Sequence, residues 1–182
     1  MKKVTLFLLA VTCISMTACN DDKKTETTDN KDSMSSMADN KVEKNKQTAL
    51  ASIMGFIAHD ADAVVKDAAP GCMDLGDGSM PPAKGIDSMK AGIKSFLAAF
   101  PDLKGEDLEA LSNADGSKVI ILGKWSGTFK NDFMGMKATG KSYAKINDAD
   151  IFTFDENGKI TSHANVQSNM TYMNAVAAMM PK

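Results

Sequence analysis

The chain contains no arginine; all 21 of its basic residues are lysine. That absence removes the planar fork that grips carboxylates and phosphates through two parallel bonds, and it weighs against a phosphorylated substrate. There is no surplus of positive charge either. Set against 23 acidic residues, the lysines leave a net charge of −2. The basic patch that nucleic acid requires is missing, so no nucleic-acid partner is expected. Cysteine is scarce. Of three in the chain, Cys13 falls in the apolar N-terminal run, Cys19 shortly after it, and Cys72 is left alone in the rest of the chain. No intramolecular disulfide can form, and the domain must stand on its apolar core. Histidine occurs twice and tryptophan once, so any site using them is narrowly located. No cofactor and no resident metal are expected. No apolar run approaches the roughly 20 residues that span a bilayer.

The N-terminus, Met1-Lys2-Lys3 followed by the apolar run Val4 to Met16 and then Thr17-Ala18-Cys19, has the basic, apolar and small-residue regions of a secretory signal peptide. Met16-Thr17-Ala18-Cys19 resembles the lipobox of bacterial lipoproteins, with Met where Leu is commoner. The resemblance implies cleavage before Cys19 and lipidation of that cysteine; ordinary secretion with cleavage nearby is the alternative. The division expected is a signal peptide over 1–18, a disordered tether over 19–45 and one folded domain over 46–182. The tether is rich in Asp, Lys, Thr, Ser and Asn and has no aromatic residue, too little apolar surface to offset its chain entropy. Cleavage would leave 164 residues with 19 lysines against 23 acids. The implied location is the bacterial cell envelope, anchored to a membrane by lipid, with the outer membrane favoured. Asn20-Asp21-Asp22-Lys23 is similar to the acidic tethers of surface lipoproteins.

Helices come first in the domain. Leu50, Ile53, Met54 and Ile57 fall at i, i+3, i+4 and i+7, which predicts a helix over about Val42 to Ala58. His59-Asp60 ends it, and Asp60 is a plausible N-cap for a short helix from Ala61 to Ala68. Pro70-Gly71 stops that helix, Cys72 to Leu75 is a candidate short strand, and Gly76 to Gly85 is a loop. Ile86, Met89, Ile93, Phe96, Leu97 and Phe100 keep a helical period up to Pro101. Strands follow. Leu103 to Ser112 is one. Lys118 to Phe129 is another, its faces dividing as Val119, Ile121, Trp125 and Phe129 against Ile120, Leu122, Lys124 and Ser126. Asn131 to Lys141 reads as a loop or hairpin tip, and Met170 to Met180 as a closing helix.

The richest stretch is Asp148 to Asn169. Ile151-Phe-Thr-Phe154 suits a strand. Asn157-Gly158 predicts a type I′ hairpin turn. Beyond it, Ile160, Ala164 and Val166 alternate with Thr161, His163, Asn165 and Gln167. This order of helices followed by antiparallel strands predicts an α+β fold, with helices packed on one face of a curved sheet. A pocket between sheet and helices is the natural place for a small ligand.

Three stretches carry a family resemblance: Ala58 to Ala63, Gly85 to Asp102 with its Phe-Pro-Asp end, and Asp150 to Ile160 with Ser162 to Val166. Together they resemble the SnoaL-like polyketide cyclases of the nuclear transport factor 2-like superfamily. The resemblance implies a cone of N-terminal helices on a curved antiparallel sheet, and homodimers through the outer sheet face. It also implies an acid/base pair on the last strands for an intramolecular aldol closure. Asp150 stands at the first position of that pair. Asn165 stands at the second, after Ala164 where Trp is usual, and Ser168 stands where a further acid is common. An amide takes up no proton at neutral pH, so the family's cyclase chemistry is not expected.

Several residues are candidates for a site. Asp150, a carboxylate in line with Ile146, Phe152 and Phe154, is a candidate base or a rim residue bonded to backbone. His163, whose ordinary pKa lies near neutrality, is a candidate general base or a solvent-facing residue on the polar face of its strand. Trp125 and Asn165 are candidate pocket residues, Trp125 being equally a core residue. His59-Asp60 resembles a dyad, but a helix cap explains it better. Met134-Gly-Met136 and Met34-Ser-Ser-Met37 offer thioethers to Cu(I), or simply fill space. The preferred expectation is a lipid-anchored protein that binds a small apolar molecule. Its alternatives are a cyclase, isomerase or hydrolase using Asp150 and His163, and methionine-based copper binding.

Overall fold

The computed structural model describes residues 29–167 and 169–176, with side chains over 39–167 and 171–176. Cys19, the signal peptide and the start of the tether therefore lie outside the described residues, as do the side chains of Met34 and Met37. Helix α1 runs from Asp29 to Ile57, α2 from Ala61 to Val65, and strand β1 from Ala68 to Asp74. A two-residue strand β2 (Ala83–Lys84) precedes α3 (Ile86–Ala99). Strands β3 (Lys104–Ser112), β4 (Lys118–Thr128), β5 (Ser142–Phe154) and β6 (Ile160–Asn165) follow, and α4 spans Asn169–Ala175.

The six strands form one sheet in the order β2-β1-β6-β5-β4-β3. All neighbours are antiparallel except β1 and β6, which are parallel and bring Asp74 opposite His163. The sheet is therefore mixed rather than wholly antiparallel, with two strands, β1 and β2, drawn from the helical half of the chain. The helices cover its concave face. Val119, Ile121 and Trp125 of β4, and Phe129 just after it, are buried in the core, as their alternation predicts, together with Phe100, Leu97 and Ile53. An aromatic series runs through it: Phe56 stacks on Phe96, Phe96 meets Phe100, and Phe100 stacks on Phe129. The opposite face, where the resemblance implies a homodimer contact, exposes Leu111 and Leu122.

Two element boundaries differ from expectation. Helix α1 starts at Asp29, not Val42, so residues 29–45 are helical where a disordered tether was expected. The stretch lacks proline and glycine, and Asn45 anchors it. Asn45 is fully buried and its Nδ2 donates to the Gly116 carbonyl at 2.9 Å. Helix α2 is as short as it is because β1 takes over at Ala68. The Asp67 carbonyl already accepts from Ile160 N–H at 3.0 Å. Pro70-Gly71 then lies inside β1, at a break in the β1–β6 register between Ala68 and Met73, where a missing N–H costs no ladder bond. The cap of α2 is as expected: Asp60 Oδ1 accepts from the Asp62 and Ala63 amides, both at 3.0 Å.

Bulges decide which residues face inward. Between β4 and β5 the pairing steps from Trp125–Ile146 to Gly127–Tyr143. The extra residue on β5 sits beside Lys145, whose φ of 55° marks the kink. Beyond it Tyr143 faces the core. Between β5 and β6 the pairing steps from Phe154–Ile160 to Thr153–Ser162, leaving Thr161 as the extra residue. Each bulge shifts the alternation by one. After Thr161 it is His163 and Asn165 that point inward, opposite Phe152 and Asp150. The expectation that His163 belongs to an outer polar face is thus corrected by a single inserted residue.

The hairpin turn is also longer than expected. Gly158, with φ of 76°, has positive φ, whereas Asn157 does not. Gly158 N–H bonds to the Asp155 carbonyl, and Asp155 Oδ1 accepts from the Asn157 and Lys159 amides at 2.9 Å each. This is a four-residue turn closed by a left-handed glycine, not a type I′ turn centred on Asn157-Gly158.

Candidate functional site

Between the concave sheet and helices α1 and α3 lies a cavity of about 360 Å³. Its walls are mainly apolar and aromatic: Phe56, Ile93, Phe96, Trp125, Phe133 and Phe152 among them. Its polar groups gather where β1, β5 and β6 meet, with Asp74, Asp148, Asp150, His163, Asn165, Tyr143 and Tyr172 all lining it. The four residues read from the sequence as site candidates, Trp125, Asp150, His163 and Asn165, therefore share one cavity.

His163 is the centre of the polar end. Its Nδ1 lies 3.1 Å from Asp74 Oδ1 and its Nε2 lies 3.1 Å from Asp150 Oδ1. Both ring nitrogens face carboxylate oxygens, so both act as donors and the ring carries a proton on each. Burial opposes that charge. The hydrogen bonds and charges of Asp150 and Asp74 outweigh it, and the His163 pKa is pushed up to about 10. A histidine that holds its proton so firmly is no general base at neutral pH. It can donate a proton, or fix and polarise Asp150. Asp74 is held below the ordinary carboxylate range. Burial would raise it, but the His163 bond and charge and the Gly76 N–H more than offset burial.

Asp150 has a different environment on each oxygen. Oδ1 faces His163, while Oδ2 is buried and has no hydrogen-bond partner. The residue as a whole is only 8 % exposed. An unpaired buried carboxylate oxygen is costly, and in a cavity it marks where a ligand donor belongs. The Tyr143 hydroxyl is likewise buried, unpartnered and on the same cavity. Burial, with the Asp102 charge, pushes its pKa upward, so it stays a neutral phenol.

Asp148 is handled differently. Oδ2 accepts from the Tyr172 hydroxyl at 2.7 Å, and Oδ1 accepts from the Gln167 amide at 2.8 Å and the Ala149 amide. Burial is the largest influence and raises its pKa despite those donors. Asp148 and Tyr172 tie α4 to β5. Asn165 is engaged structurally: its N–H bonds to the Gly76 carbonyl and its Nδ2 donates to the Gln167 carbonyl. Trp125 packs edge-on to Phe56, ring centroids 5.8 Å apart, and does double duty as core and cavity wall.

Sequence reasoning missed Asp74, Asp148, Tyr143 and Tyr172. A signal existed for Asp148, two residues from Asp150 on the same strand and hence on the same face. None existed for Asp74, which reaches His163 only through the parallel pairing. His59 stays outside this site, beside the Asp60 cap. Met136 is buried in the core at 3 % exposure while Met134 is 43 % exposed at the cavity rim, which divides that thioether pair between two environments. Among the described residues, no group of three or more His, Cys, Asp or Glu side chains is placed to hold a metal ion.

A family profile described as SnoaL-like polyketide cyclase matches residues 47–176. Among curated proteins no match is found. Solved structures share the fold. A candidate SnoaL-like polyketide cyclase of Jannaschia sp. CCS1 superimposes with a TM-score of 0.66 at 19 % identity, over 76 % of this chain and 94 % of its own. A candidate polyketide cyclase of Xanthomonas campestris pv. campestris gives 0.66 at 17 %, over 75 % and 98 %. A protein of Catenulispora acidiphila with a ketosteroid isomerase-like fold, in complex with trimethylamine, gives 0.59 at 13 %, over 71 % and 92 %.

The raised His163 pKa has a stability consequence of definite sign. Unfolded, the ring titrates near 6.5; folded, near 10. The stabilisation from this bridge is therefore complete below about pH 6.5 and is lost as pH rises through about 10. Chemical denaturation across that window is expected to show falling stability in the natural protein and a flatter profile in His163→Gln. Asp74→Asn is expected to move the fall toward lower pH. Identical profiles for all three proteins would remove the bridge from the account.

Proposed function

The chain belongs to the SnoaL-like polyketide cyclase family, and on that premise we propose that its cavity binds a small, largely apolar molecule whose polar end is held at Asp150. One observation carries the reading: a buried, unpartnered carboxylate oxygen on a side chain that lines an otherwise apolar cavity. Aromatic walls supply most of the contact area and a few convergent polar groups supply orientation. The family's aldol closure is not part of the proposal. Asn165 stands at the position of the second acid, opposite Asp150, and its amide is committed to the Gln167 carbonyl. Titration with N-phenyl-1-naphthylamine, a neutral apolar fluorophore with one N–H donor, is expected to give saturable one-to-one binding. Asp150→Asn should weaken it roughly tenfold, the value of a lost hydrogen bond to a charged group. Non-saturable uptake, or equal affinity in the variant, would overturn the reading.

A second reading is an enzyme, favoured by Asp150 and His163 facing one cavity in direct contact. Asp150 Oδ2 would take a proton from a carbon beside a carbonyl. His163 would hold Oδ1 and balance its charge. The assay is deuterium uptake at the α-carbon of a β-keto ester. This reading requires uptake above buffer that falls about a hundredfold or more in Asp150→Asn; uptake at the buffer rate in the natural protein excludes it.

We propose further that the domain is held in the bacterial cell envelope by lipid on Cys19, on the strength of Met16-Thr17-Ala18-Cys19 and the polar segment after it. Cys19→Ser should move the protein from the membrane to the soluble fraction and remove the lipid mass. A variant that stays membrane-bound would contradict this.

A further inference from the structure

We infer that the molecule this cavity takes is a cation, a protonated amine on an aromatic or alicyclic body. The inference rests on the small-molecule reading of the same cavity and names its ligand class. Charge is the starting point. Four aspartates line the cavity, Asp74, Asp77, Asp148 and Asp150, and no lysine does; His163 is the single basic side chain among the described lining residues.

The cation of His163 is shared between Asp74 and Asp150, so one positive charge faces two carboxylates. Asp74 has a further donor in the Gly76 amide, and Asp148 has three donors of its own. The deficit falls on Asp150, whose Oδ2 has no donor at all in a residue 8 % exposed.

A protonated amine matches this set. It supplies the missing positive charge and donates a charge-assisted N–H bond to the Asp150 Oδ2 oxygen. Trp125, Phe96 and Phe133 line the same cavity and present aromatic surface to its apolar body. A neutral alcohol supplies one donor and leaves the charge uncorrected. A carboxylate adds a like charge beside Asp150 and is disfavoured.

Three molecules of one shape separate these cases: 2-naphthylmethylamine, 2-naphthalenemethanol and 2-naphthoate, titrated into the full chain at pH 7 by calorimetry. The amine is expected to bind one-to-one, at least about tenfold more tightly than the alcohol, with naphthoate weakest. In Asp150→Asn the preference for the amine over the alcohol should collapse. The ranking in the natural protein decides the matter even where the variant fails to fold. Alcohol or naphthoate binding as tightly as the amine overturns the cation inference and leaves the small-molecule reading intact. Saturable binding by none of the three overturns both.

Discussion

One protonated imidazole held between two carboxylates organises this protein. Asp74 comes from β1, His163 from β6 and Asp150 from β5, so the bridge crosses three adjacent strands. It also crosses the one parallel pairing among the described strands, which attaches the helical half of the chain to the strand half. The contact that closes the sheet is thus the contact that forms the polar end of the cavity. A bridge of this kind is poor evidence for net stability, because desolvation offsets much of the attraction. It is better evidence for placement. With both ring nitrogens committed, His163 fixes Asp150 in one orientation and leaves its second oxygen without a protein partner.

Bulges bring the polar groups to that point. Regular strands would have kept His163 and Tyr143 on the outer face, since each lies out of step with its inward neighbours. One extra residue at Thr161 and one beside Lys145 turn them inward. A pleated sheet can line a cavity with alternate residues only; a bulge selects which ones. Both bulges lie on strands that border the cavity.

How far the fold was legible follows from the range of each interaction. Helix α3 and the faces of β4 were readable because their periodicity is local and their ends are marked, as by Pro101. The Asp60 cap was readable for the same reason. The family resemblance rested on Ala58 to Ala63, Gly85 to Asp102, and Asp150 to Ile160 with Ser162 to Val166, stretches that are local too. Asp150 was found by its parity with Phe152 and Phe154, and Asp148 lay open to the same argument. Asp74 did not, because its partner is distant in sequence and no periodicity marks a parallel pairing. The packing of α1 against the β3–β4 turn depends on Asn45 reaching Gly116, again a long-range bond. His163 was located but its direction was misread, because alternation carries no sign of the bulge at Thr161.

The functional account reduces to charge. An apolar cavity holds a carboxylate that the protein itself balances on one side only. That balance depends on His163 being an imidazolium with a proton on each nitrogen. The measurement that addresses this most directly is nitrogen-15 NMR of the His163 ring in the folded protein at pH 8. The account predicts two protonated ring nitrogens, each hydrogen-bonded, at a pH where an ordinary histidine is neutral. A neutral ring in a single tautomer would contradict it, because Asp74 and Asp150 would then share no cation and the site would have a different electrostatic design.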